Sequence, residues 1–60
     1  MTIGEFLKRW TNNPCFILVT IKKRGKEVFC EMGDSERMSE VSEIKFKNVS
    51  FVGTNPTFTL

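Results

Sequence analysis

The sequence predicts an α+β fold, with one N-terminal amphipathic helix packed on an antiparallel sheet of three to four strands. Three observations carry this expectation. A capped apolar stripe of helical period opens the chain, an alternating strand pair follows around a glycine turn, and two further short alternating segments close it. The helix stripe and the apolar hairpin face each need the other as cover. At 60 residues the chain makes one small domain spanning 1–60, because a chain this short has only about 60% of its unfolded surface to bury.

Thr2-Ile3-Gly4-Glu5 forms a capping box: the threonine oxygen can accept from the third helical amide while Glu5 reaches back to the amide of Thr2. Ile3, Phe6, Leu7 and Trp10 then fall at i, i+3, i+4 and i+7, a single apolar stripe, with Met1 placed to staple against Phe6. Trp10, on that stripe, is read as core. Lys8 and Arg9 suit the negative end of the helix dipole, and Asn12-Asn13-Pro14 stops the helix.

Cys15 to Lys22 is rich in β-branched and aromatic residues, and Glu27 to Met32 alternates, with Lys23-Arg24-Gly25-Lys26 between them. This is a hairpin, with glycine available for positive φ. Centring the turn on Arg24-Gly25 sets Ile21 opposite Val28, Val19 opposite Cys30 and Ile17 opposite Met32, a wholly apolar face. The other face pairs Lys22 with Glu27, Thr20 with Phe29 and Leu18 with Glu31, with Phe16 at its end, so opposite charges meet. In this register Cys15 lies four residues beyond the partner of Cys30, roughly 13 Å away at about 3.3 Å per residue. A disulfide needs Cα atoms within about 7 Å, so both cysteines are expected as free thiols serving as small core hydrophobes.

Gly33 to Glu43 reads either as a polar loop or as one short helical turn, the favoured reading, capped by Asp34 or Ser35 with Met38 and Val41 facing inward. Ile44-Lys45-Phe46 alternates in even register whereas Val49 and Phe51 are odd. A bulge or tight turn at Lys47-Asn48 must intervene, the bulged third strand being the simpler solution. Gly53-Thr54-Asn55-Pro56 is turn chemistry, and Thr57 to Leu60 alternates as a terminal strand.

Composition narrows the function. The chain has no histidine, and so lacks the commonest general base and metal ligand. Two cysteines without C-x-x-C spacing do not make a zinc clip. Neither G-x-S-x-G nor a phosphate-cradling glycine loop occurs. The expectation is a protein that is not an enzyme, with no cofactor, no metal and no small-molecule substrate. The longest apolar stretch, Cys15 to Val19, is far too short for a membrane span, and the first ten residues lack the pattern of a leader. The expected setting is cytoplasmic, with no membrane partner.

Charge is asymmetric: residues 1–30 carry six basic and two acidic groups, residues 31–60 three and five. Lys22, Lys23, Arg24 and Lys26 crowd the first hairpin, where a basic β-ribbon can engage phosphates. The plainer reading is a solvated tip whose lysines discourage edge pairing. Glu31, Asp34, Glu36, Glu40 and Glu43 form an acidic counterpart, read as a solvated connection. Phe16, Leu18 and Phe29 share the outer sheet face with little polar cover, more apolar surface than a small monomer comfortably exposes.

The T-I-x-E-F-L helix, the G-K-E-V-F second strand, the polar connection and the terminal alternating pair resemble short proteins encoded by phages and mobile elements of Gram-positive bacteria. The resemblance implies action by binding a host or defence protein, including inhibition of bacterial immunity, and carries over no site residue. The leading expectation is therefore a non-catalytic protein-interaction module, self-associating or binding a protein partner through Phe16, Leu18 and Phe29 or a strand edge. The alternative is a small nucleic-acid-binding protein using Lys22, Lys23, Arg24 and Lys26.

Overall fold

In a computed structural model, which describes residues 1–60 with Pro14 given by its backbone alone, one helix covers a four-stranded mixed sheet. The elements are α1 (Ile3–Trp10), β1 (Leu18–Lys23), β2 (Lys26–Met32), β3 (Asn48–Val52) and β4 (Asn55–Thr59), with 3₁₀ turns at Pro14–Phe16 and Glu36–Glu40. The α+β class with one N-terminal helix is the one expected.

The capping box forms as the sequence predicts. Glu5 N–H donates to Thr2 Oγ1 at 3.2 Å and Thr2 N–H donates to Glu5 Oε1 at 3.0 Å. The remaining helix-start donors find carbonyls of the connection: Ile3 N–H reaches Ile44 O and Gly4 N–H reaches Ser42 O, both at 2.9 Å. No amide of the first turn is left orphaned, which fixes where α1 sits. Close approach requires glycine at position 4, since a Cβ there would lie 2.9 Å from Ser42 O.

The sheet order is β2-β1-β4-β3, two antiparallel hairpins joined by a parallel β1–β4 pair. Because β1 and β4 are parallel, the sheet is mixed, where alternation alone suggested antiparallel pairing throughout. The reason lies in the connection 33–47. It carries the chain from one end of the sheet to the other, so the second hairpin enters from the opposite end. On the way it buries Met38 from the 3₁₀ helix capped by Ser35 and Val41 just past its end, and packs Ile44 and Phe46 against the core. With α1 it forms the second layer.

Lys45 pairs with Thr2, outside the sheet. Lys47 N–H donates to Thr59 O at 2.8 Å while Asn48 is the pairing partner of Thr59. Strand β3 therefore begins only at Asn48, in unbroken register with β4, and the bulged third strand expected from Ile44 does not form: Ile44–Phe46 stays in the connection, and the parity change is absorbed at a bend at Lys47 before the strand starts. The core comprises Ile3, Leu7, Ile17, Val19, Ile21, Phe29, Met38, Val41 and Phe58.

The first hairpin departs from its expected register. Near the turn Lys22 pairs with Glu27 as predicted, but a bulge between Ile21 and Lys22 makes Ile21 face Phe29, Thr20 face Cys30 and Leu18 face Met32. Val28 is the extra residue. A one-residue slip exchanges the faces of everything beyond it, so Phe29 is buried and Cys30 and Met32 are exposed. The turn itself holds Arg24 at φ 55° and Gly25 at φ 78°, the signature of a type I′ hairpin.

The cysteines are not the core hydrophobes expected: the bulge turns Cys30 outward, and Cys15 lies in a 3₁₀ turn ahead of β1. Both thiols are free, Cys15 half-buried and Cys30 exposed. The strand start also moves, because Pro14–Phe16 forms a 3₁₀ turn and β1 begins only at Leu18.

Candidate interaction surface

Helix and connection cover one sheet face, and the register lays out the other in rows across all four strands. At one end stand Met32, Leu18, Asn55 and Val52, tied together by the Leu18–Met32 and Val52–Asn55 pairs and by Leu18 N–H donating to Asn55 Oδ1 at 2.9 Å. Cys30, Thr20, Thr57 and Ser50 form the middle row, and Glu27, Lys22, Thr59 and Asn48 the far one. The face is graded, apolar at one end and polar at the other.

The Asn55 bond has a local cause. Pro56 sits in the central strand β4, and hairpin alternation directs its missing N–H away from β3, toward β1. Main-chain pairing of β1 with β4 starts only at Thr20 and Thr57. Ahead of that pairing the Leu18 N–H, a donor with no β4 carbonyl opposite it in the ladder, donates to the Asn55 side-chain oxygen instead.

The apolar end is strongly exposed: Val52 is 75% accessible, Met32 42% and Leu18 37%, with Phe16 at 77% on the turn that leads into β1. Of the three residues expected here, Phe16 and Leu18 are brought to this end of the sheet. Phe29 is not. It lies in the core at 7% exposure, with the Arg37 guanidinium 5.3 Å from its ring centroid. Its place is taken by Met32, which the unbulged register assigned to the inner face, and by Val52. Val52 was legible, since Val49 and Phe51 facing inward put position 52 outward.

The basic cluster is at the opposite end of β1. Lys22, Lys23, Arg24 and Lys26 are all exposed around the hairpin turn, a solvated group of cations with no aromatic side chain among them. The acidic run organises itself instead around Arg37, which bonds Glu31 at 3.2 Å and lies 3.7 Å from Glu40, while Ser35 Oγ donates to Glu31 at 3.1 Å.

A second exposed feature lies at the β3 edge. Trp10 and Phe51 have ring centroids 4.9 Å apart, Phe6 lies 6.2 Å from each, and Phe46 and Phe58 continue the cluster inward. Trp10 is 38% and Phe51 43% exposed, so Trp10 is a rim residue and not the core residue its stripe position suggested. Between α1 and the 3₁₀ helix runs an open cleft of about 400 Å³, with Leu7 and Met38 as apolar lining and Lys8, Thr11 and Asn12 beside them. Lys8 is its one charged group.

Among the described residues, no buried side-chain nitrogen or oxygen lacks a hydrogen-bond partner, so no orphaned polar group points to a ligand. No described cluster of three or more His, Cys, Asp or Glu could hold a metal ion. Among the described residues no helix is long and apolar enough to cross a membrane. The Thr2 main-chain N–H, and then the Thr2 hydroxyl, hold the Glu5 carboxyl below its ordinary value. That is cap chemistry. Compared with protein-family models, with curated proteins and with solved structures, the chain matches none.

Proposed function

We propose that the protein is a non-catalytic protein-interaction module that engages a protein partner through the apolar end of its open sheet face. The observation that carries this reading is the exposed group Phe16, Leu18, Met32 and Val52 at one end of a sheet covered on its other side only. A cluster of exposed apolar side chains among polar ones is the usual mark of a docking surface, here with Asn55 standing between Leu18 and Val52. The polar rows beside the cluster form its rim. An inhibitor or regulator of a host or defence protein, which the phage-type resemblance implies, is one form such a module takes.

A benzophenone amino acid placed at position 16 or 52, with position 26 at the hairpin tip as control, tests the surface in the cell that makes the chain. Irradiation should give a discrete polypeptide adduct from positions 16 and 52 and none from 26. Adduct yield should persist at high salt, because apolar burial is not screened. Adducts equally abundant from all three positions, or absent from the sheet face, refute the proposal.

A further inference from the structure

The two free edges of the sheet are built differently. Strand β2 carries Lys26, Glu27 and Glu31 and is bent by the Val28 bulge, which are the devices that keep an edge from pairing. Strand β3, Asn-Val-Ser-Phe-Val over Asn48–Val52, has no charge, no proline and an unbroken register with β4 over its five residues, of which all but Val49 are exposed. It is an undefended edge.

Its hydrogen-bonding parity is set by the second hairpin. The two-residue turn at Gly53-Thr54 makes Val52–Asn55 a hydrogen-bonded pair, and alternation makes Ser50–Thr57 and Asn48–Thr59 the next two. Val49 and Phe51 therefore turn their N–H and C=O groups outward. We propose that a second copy of this chain pairs antiparallel with β3 about a two-fold axis at Ser50, joining two sheets into one of eight strands.

The geometry points to a second copy because the edge is complementary to itself in that register. Val49 of each copy meets Phe51 of the other, and all four outward N–H groups and four outward C=O groups of Val49 and Phe51 in the two copies meet partners in four hydrogen bonds. Phe51 against Val49 is also a favourable aromatic and β-branched cross-strand pair. On the same face, the half-exposed Trp10 and Phe51 rings gain cover from their symmetry mates. No charged side chain of β3 opposes the approach. The proposal rests on reading the chain as an interaction module and names one partner, at an edge that shares only Val52 with the Phe16, Leu18 and Met32 surface.

Light scattering and disulfide trapping test it together. The mass of the wild-type chain should rise with concentration from 6.9 kDa toward twice that value. In a Cys15→Ala, Cys30→Ala background, Ser50→Cys places two thiols on directly opposed residues whose Cα atoms are about 4.5 Å apart, within disulfide reach. Oxidised glutathione should link them at least ten times faster than it links Asn48→Cys, whose symmetry mates stand about 13 Å apart. An N-methyl group on the Phe51 amide, which faces away from β4, should leave a folded monomer. Leu18→Ser should leave the mass unchanged. A wild-type chain still monomeric at ~1 mM, equal trapping rates at positions 48 and 50, or a dimer dissolved by Leu18→Ser overturns the inference. The first two results would leave the photo-crosslink from position 16, which lies outside β3, unaffected, so the two proposals fail separately.

Discussion

The bulge in the first hairpin makes opposite demands on two adjacent residues. Phe29 is 7% exposed and Val28 57%, whereas the unbulged register would bury Val28 against Ile21 and turn Phe29 to solvent. Replacing each in turn with alanine separates the two. Truncating a buried phenylalanine costs about 3–5 kcal/mol, and Phe29→Ala also removes the ring beneath Arg37. A chain of 60 residues has a total stability of only about 3–9 kcal/mol at 0.05–0.15 kcal/mol per residue, so Phe29→Ala should unfold most of the population or leave it marginal. Val28→Ala should stay within ~0.5 kcal/mol of the parent, as exposed substitutions do. In urea, with a slope near 1 kcal/mol/M for a small domain, the Phe29 variant should lose about 3 M or more of midpoint and the Val28 variant almost none. Phe29→Leu, which keeps an apolar side chain, should fall between them and remain measurable if the alanine variant does not fold. A Val28 variant that costs as much as the Phe29 variant would refute the bulge and, with it, the exposure of Met32.

Four further outcomes follow. Gly4→Ala, ordinarily worth up to about 1 kcal/mol of added stability in a helix, should instead lower the melting temperature, because the new Cβ would meet Ser42 O at 2.9 Å. Arg24→Asn should raise stability by about 0.5 kcal/mol in thermal unfolding, since Arg24 sits at φ 55°, where asparagine is better tolerated. Glu5 has its carboxyl pKa lowered in the fold, first by the Thr2 main-chain N–H. Its contribution is fully present above the unfolded-state pKa and is lost as pH falls through the folded one. The melting-temperature gap between wild type and Glu5→Gln should therefore be constant near neutrality and close in acid. Lys23→Glu with Arg24→Glu tests the nucleic-acid alternative: fluorescence anisotropy should find the parent no tighter than ~10⁻⁴–10⁻⁶ M for duplex DNA at physiological salt, and nanomolar binding abolished by the pair would reverse the ranking of functions.

Local chemistry was enough to predict the parts of this molecule whose partners lie close in sequence. Thr2 and Glu5 are three residues apart, so the cap that starts α1 is settled before any tertiary contact forms. The Arg24-Gly25 and Gly53-Thr54 turns are likewise legible, as are Ser35 as a cap and the parity break at Lys47-Asn48, because each is a backbone requirement met by the residues that carry it. Phe16 and Leu18 could be placed at the exposed end of the sheet on the same footing. What sequence reasoning could not reach depends on long-range geometry. Valine and phenylalanine satisfy either face of β2, and only packing opposite Ile21 in the shared core decides that the larger ring goes inside and that Val28 is looped out to let it. Once that bulge forms, Phe29 leaves the outer face and Met32 joins it. The parallel β1–β4 pair is of the same kind: it joins residues such as Thr20 and Thr57, which no local pattern relates, and it exists because the connection 33–47 buries its own apolar residues only by crossing the sheet from end to end. The undefended β3 edge follows from that strand order, since the same five residues at the centre of a sheet would expose no main chain at all.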